Sequence, residues 1–196
     1  MGPIFAHGNS RKRSAIIVNN NKIDAIVIRQ VSDEDATLIE LSYSGLNFYG
    51  ASLYFPTDRE IERDIESLEE IIQLTKGKGL LLSIGSNSRS KLWYDTITNQ
   101  WGKFLQDFII TRDLLLMNVE TSIPTFETIR GRSWIDLTLC NSILAQKTSG
   151  WTCGDEESCA DRKIIFFNFV AERSNGNAVH YPGKRYLTKT GDWGSL

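Results

Sequence analysis

A layered α/β or α+β domain is the fold class this sequence predicts, on three observations. The first half holds four short runs rich in Ile, Val, Leu and Tyr, separated by turn residues. An amphipathic helical stretch follows and leads into a short apolar run that suits a buried strand. Strand-like runs then recur as far as residue 170, so strand, helix and strand succeed one another along the chain.

The first four strands are expected at Ser14–Val18, Ile23–Arg29, Thr37–Tyr43 and Leu46–Tyr54, as an antiparallel meander. Asn19–Asn21, Ser32–Asp35 and Ser44–Gly45 supply the turns. A helix follows, between Thr57 and Gly77. Its apolar positions Ile61, Ile65, Leu68, Ile72 and Leu74 recur at helical spacing, with Glu62, Glu66, Glu69 and Glu70 largely on the other faces. Thr57 and Glu60, three apart, predict a capping box. Gly77 and Gly79 end the helix, and Gly79–Ile84 reads as a buried strand. Thr98 is the expected cap of a second helix carrying Trp101, Phe104, Leu105, Phe108 and Ile109 on one face. Gly102 inside it weakens that helix by about 1 kcal/mol relative to Ala. Further strands are predicted at Leu114–Val119, Ile135–Cys140 and Ile164–Val170, with a short helix at Ser142–Lys147. From Arg173 to Leu196 the pattern dissolves, which reads as a linker or tail.

The chain has 196 residues, room for one ordinary domain. Apolar residues at 41% and charged residues at 23% exclude wholesale disorder and fibrous classes. Its apolar runs are far shorter than the ~18 residues of a membrane span. Cys140, Cys153 and Cys159 cannot all pair, and their spacing fits no zinc pattern, so a reducing intracellular compartment is expected. A net charge of −2 excludes a uniformly basic nucleic-acid coat and leaves local patches as the route to phosphate.

Four polar segments at strand ends or in loops are the candidate site. They are Leu53–Pro56, Gly85–Ser90, Ser133–Thr138 and Ser158–Arg162. Asn87 either orients a phosphate or a water, or is a turn Asn, and local sequence favours the turn. Gly85 reads as a turn glycine. Asp136, between Ile135 and Leu137, is either on a polar strand face or buried and paired. Asp161 ahead of Arg162-Lys163 fits a surface salt bridge. Tyr54 is either a hydroxyl aimed at a ligand or a core-edge aromatic. The basic groups Arg11–Arg13, Arg89/Lys91, Arg130/Arg132 and Lys184/Arg185/Lys189 are weak signals one by one.

The order of these segments resembles the endonuclease/exonuclease/phosphatase family. The likeness is greatest to the endonuclease domain of insect non-LTR retrotransposons of the jockey type. The stretches that carry it are Arg13–Val18, Ala51–Pro56, Gly77–Trp93, Pro124–Phe126, Arg130–Leu139 and Glu156–Phe169. The resemblance implies a four-layer α-β-β-α sandwich with two packed mixed sheets, here lacking its N-terminal strand region. Residues 1–172 would be the endonuclease-like domain and residues 173–196 a connector toward a reverse transcriptase. It implies Mg²⁺-dependent cleavage of DNA, no membrane partner and a nuclear location. By position Tyr54 would bond to the phosphate and Asn87 would hold water and phosphate oxygen. Asp136 would orient the general base, and Asp161 would stand beside that base as a weak metal ligand. Arg89, Ser133 and Arg132 would contact nucleic acid.

The departures from the family pattern are equally specific. Gly85 stands where the family has a carboxylate two residues before the Asn, and Arg162 stands where it has His. The family's opening Asn and its metal-holding Glu would fall before the start of this chain. The expectation is a degenerate, truncated, catalytically impaired copy of low stability. The alternative is a non-catalytic nucleic-acid-binding remnant.

Overall fold

The computed structural model describes residues 3–6, 11–121, 123–154 and 161–170. The expected tail 173–196, the basic group at 184–189 and Cys159 lie outside the described residues. Among the described residues no helix is long and apolar enough to cross a membrane.

Two short pairs open the chain: β1 (Ile4–Phe5) against β2 (Ile16–Ile17), then β3 (Asp24–Val27) against β4 (Ala36–Tyr43). β4 turns through Ser44 and Gly45, both at positive φ, into β5 (Leu46–Tyr54). That two-residue turn matches the right-handed twist of the strands it joins. The helix α1 (Ile61–Leu74) then crosses over to β6 (Gly79–Gly85), which runs parallel to β5. After α2 (Gln100–Thr111) and β7 (Leu115–Leu116) come a hairpin of β8 (Phe126–Thr128) and β9 (Gly131–Ser133), and then β10 (Asp136–Cys140). The chain continues through α3 (Ser142–Ala145) to the antiparallel pair β11 (Thr148–Cys153) and β12 (Ile165–Phe169).

Six strands form one mixed sheet in the order β3-β4-β5-β6-β10-β7. Period-2 alternation gives each central strand two apolar faces. Ala51, Leu53, Leu80, Leu82, Ile84, Leu137 and Leu139 face α1 and α2, where Leu68, Ile71, Leu105 and Ile109 are buried. Phe48 and Cys140 face the other way, toward α3, Trp151 and the β11–β12 pair. Phe48 stacks on Phe169 with ring centroids 4.5 Å apart, and Trp151 donates its indole N–H to Thr138 Oγ1 at 3.0 Å. Helices, sheet and second β layer therefore stack as the α/β sandwich class requires. Among the described residues the second layer holds the two-stranded β11–β12 ladder rather than one wide sheet.

Two caps differ from expectation. α1 begins after Glu60, in extended conformation, with no side-chain cap; Thr57 lies earlier, in a turn. Arg59 fixes this entry instead, by pairing with Asp35 and with Asp64 in the first turn. α2 is capped by Asn99, not Thr98: Asn99 Oδ1 accepts from Gly102 N at 2.7 Å and from Arg89 N at 3.1 Å. Thr98 Oγ1 accepts from Lys91 N. Gly102 is there for close approach, since a Cβ would lie 1.8 Å from the Arg89 carbonyl oxygen.

Candidate functional site

The registers of β5, β6 and β10 set three residues side by side at one end of the sheet. Tyr54 pairs with Gly85 across the parallel ladder, and Gly85 pairs with Asp136 across the antiparallel one. All three share the strand parity of Phe48 and Cys140, so they lie on the face turned away from α1 and α2. Gly85 is thus the last residue of a central strand and not the turn glycine its local sequence suggests.

The chain leaving β6 is held tightly. Phe55 N donates to Gly85 O at 2.9 Å, and Ser86 donates to Ile135 O through both N–H and hydroxyl at 2.8 Å. Ser86, Ser88 and Ser90 are fully buried. Asn87 between them has φ +49°, a left-handed conformation that Asn tolerates better than most residues. Its side chain faces the row: Asn87 Nδ2 donates to Phe55 O at 2.6 Å. Asn87 therefore serves both readings, as a turn residue with a fixed, inward-facing amide.

Asp136 is anchored through its backbone. Its N–H and that of Ile135 donate to Thr125 Oγ1 at 3.1 and 3.0 Å, and its carbonyl accepts from Asn118 Nδ2 at 2.9 Å. Its side chain is the buried and paired alternative, not a solvent-facing one. Burial pushes the Asp136 carboxyl above its ordinary value; the Arg162 charge, the Thr125 hydroxyl and the Arg162 hydrogen bond pull it back only in part.

Arg162 closes the row. It bridges β-fashion to Phe126, while Glu127 N donates to Asp161 O at 2.9 Å and Lys163 N to Thr125 O at 2.8 Å. From that fixed backbone Arg162 Nη1 pairs with Asp136 Oδ1, and Nη2 donates to Asn87 Oδ1 at 2.9 Å. The guanidinium lies 5.5 Å from the centroid of the Tyr54 ring and 5.6 Å from that of Phe126, within cation–π range. A Cβ on Gly85 would stand 3.3 Å from Arg162 Nη1, 3.4 Å from Asp136 Oδ1 and 3.4 Å from Tyr54 Cδ2. The missing side chain makes the space that the guanidinium occupies.

The structure therefore brings Tyr54, Gly85, Asn87, Asp136 and Arg162 together. Asp161 precedes Arg162 with an exposed side chain and is held by its carbonyl. Arg89 gives its guanidinium to Asp95 at 2.8 Å and to Thr96 at 3.1 Å. Ser133 is buried opposite Phe126, and Arg132 is exposed, 3.9 Å from Glu127. Sequence reasoning missed Thr125 and Phe126 as parts of the site. It also missed Arg13, whose guanidinium stands 5.6 Å from the Tyr54 centroid. The signal was present in Pro124-Thr125-Phe126 and Arg13–Val18, which carry the resemblance.

The residues present do not suit a divalent metal ion. Magnesium takes hard oxygen ligands, usually one or two carboxylates with water and phosphate. Here one Asp136 oxygen and the Asn87 oxygen are both on a guanidinium, and Gly85 offers nothing. Among the described residues no three His, Cys, Asp or Glu side chains converge.

The helices, the mixed sheet and the second β layer define a layered α/β sandwich class, and the comparisons give its family. The chain belongs to the endonuclease-reverse transcriptase family within the endonuclease/exonuclease/phosphatase group, whose family pattern matches residues 48–180. It is similar to the retrovirus-related Pol polyprotein of type-1 retrotransposable element R1 from Bradysia coprophila, 22% identical over 92% of this chain. It is also similar to a putative 115 kDa protein in the R1DM element of Drosophila melanogaster, 20% identical over 86% of this chain. The chain spans only 19% and 17% of those relatives. Among solved structures, the endonuclease domain of TRAS1, a telomere-specific non-LTR retrotransposon, matches with a TM-score of 0.76. That match has 23% identity and covers 81% of this chain and 74% of that one. The AP endonuclease of Leishmania major matches at 0.55 with 9% identity, covering 71% and 55%. Both share the fold. The expected kinship to a non-LTR retrotransposon endonuclease holds, and the relatives that match carry the R1 name.

Proposed function

We propose that this chain is the DNA-engaging endonuclease domain of a non-LTR retrotransposon polyprotein, with its phosphodiester cleavage strongly impaired. The observation that carries the reading is the guanidinium of Arg162 seated between Asp136 and Asn87.

Hydrolysis of a phosphodiester needs a group that takes a proton from water. Arginine stays protonated near neutrality and cannot do this. Asp136 is in reach, but its Oδ1 is held in an ion pair. A positioned general base contributes roughly 10²–10⁴-fold to rate. What remains is binding and orientation: Asn87, fixed by Phe55, and Tyr54 on the rim of the row.

Endonucleases of this family generally use a divalent metal. In this chain no step is assigned to one, because the donor set does not suit it. The supporting context is a polyprotein, so a reverse transcriptase would be its partner, residues 173–196 its connector and DNA its substrate. A domain that meets chromosomal DNA works in the nucleus, which imaging of a tagged full chain checks.

The test is nicking of supercoiled plasmid with Mg²⁺ or Mn²⁺, beside the Asn87→Ala variant. The two proteins are expected to match at background. Metal-dependent nicking that Asn87→Ala abolishes would refute impairment. The second reading, a non-catalytic binder, is favoured by the exposed Arg130 and Arg132 on the β8–β9 hairpin. It predicts salt-dependent DNA binding without cleavage.

A further inference from the structure

The charge balance of the strand-end row is closed by the protein itself. Asp136 is mostly buried, with its side chain 15% exposed, and a carboxylate in that position requires a cation. Arg162 supplies it with a permanent charge. The supply is built and not incidental. The backbone around Arg162 is tied to Thr125 and Glu127, and two aromatic rings flank the guanidinium. Gly85 leaves the room for it. The atoms it engages are Asp136 Oδ1 and Asn87 Oδ1, while Asp136 Oδ2 is buried with no hydrogen-bond partner among the described residues. A divalent ion would have to displace the guanidinium from both, or accept a like charge beside it.

We propose that the guanidinium of Arg162 is the resident cation of this cleft, and that with it in place Asp136 and Asn87 take up no divalent metal ion. The Asp136–Asn87 pair is then indifferent to divalent metal. The inference rests on the contacts of Arg162 and is independent of whether DNA is cleaved.

The experiment uses the full chain without DNA. Free Mn²⁺ is counted by electron paramagnetic resonance during titration, and thermal unfolding is followed with and without Mg²⁺. Wild type is expected to bind no Mn²⁺ at the cleft and to melt at the same temperature with either buffer. Arg162→Ala exposes the oxygens and is expected to bind Mn²⁺ about tenfold tighter than wild type, with a metal-dependent rise in melting temperature. Arg162→Lys keeps a cation and is expected to behave as wild type. Two results overturn the proposal: wild type binding Mn²⁺ as tightly as Arg162→Ala, or Arg162→Ala gaining no affinity. If Arg162→Ala does not fold, Asp136→Asn decides. It must leave Mn²⁺ uptake at the wild-type level, and a drop would mean the carboxylate holds metal in the native chain.

Discussion

Two arginines stand over the Tyr54 ring, and each belongs to a different ion-pair network. Arg13 pairs with Asp35, Asp35 with Arg59, and Arg59 with Asp64. That chain of four is balanced, and its carboxylates are 4% and 2% exposed. It ties the segment before β2 to the start of β4 and to the first turn of α1. Arg162 reaches one carboxylate and one amide among the contacts of the described residues, with its own side chain 29% exposed. It sits at the open end of three strands. The chemistry is the same in both, and burial separates the roles. Deep, balanced pairs fix where elements meet. A pair at a strand-end rim closes the gap between the ends of three strands.

The largest expected effect is in the deep network. Asp35→Ala leaves Arg13 and Arg59 without their shared partner and should lower stability by about 3–5 kcal/mol. Urea unfolding monitored by tryptophan fluorescence reads it; a loss under 1 kcal/mol would equate the two networks. Next comes Arg162→Ala, which strands the Asp136 carboxylate and should lower stability by about 1–3 kcal/mol in the same experiment. A loss as large as that of Asp35→Ala would make the rim pair a second structural rivet.

Acid titration sharpens the contrast. Burial pushes the Asp64 carboxyl above its ordinary value, and Arg59 only partly pulls it back. A folded carboxyl above its unfolded value favours folding at low pH, and that contribution is lost as pH rises through the folded value. Asp95 goes the other way. Burial pushes it up, but Arg89 and the N–H groups of Trp134 and Ile97 outweigh burial, so it sits below its ordinary value. Its contribution is present above the ordinary value and lost as pH falls through the folded one. Stability against pH should therefore lose its acid-side decline in part in Asp95→Asn. Asp64→Asn should show less decline on the alkaline side of the carboxylate range. Identical pH curves for the two variants would contradict these assignments.

The smallest effect belongs to the exposed Arg132–Glu127 pair at 3.9 Å. Arg132→Ala should change stability by less than about 0.5 kcal/mol. If the hairpin meets DNA, it should lower the salt slope of binding by about one. An unchanged slope would remove Arg132 from the contact.

Much of the fold was legible in the sequence. β5 was located residue for residue, and β6 and β10 within one, because alternating and continuous apolar runs announce them. The β8–β9 hairpin was not, since its strands are three residues each and mostly exposed. β11 was hidden by Gly150, at positive φ where the ladder with β12 shifts register. Gly102 looked like a weakness of α2 because helix propensity knows nothing of the Arg89 carbonyl against it. The site was legible as four segments, yet what joins them is register. No local pattern says that Gly85 lies between Tyr54 and Asp136, or that Arg162 reaches the gap. The Arg13–Asp35–Arg59–Asp64 network escaped for the same reason, being scattered along the chain and assembled only by folding.

The most direct measurement is a crystal structure of the wild-type chain soaked in Mn²⁺, with anomalous difference density calculated around the strand-end row. The Arg162 guanidinium is expected between Asp136 and Asn87 with no anomalous peak beside them. A manganese peak on Asp136, with Arg162 turned out to solvent, would contradict it.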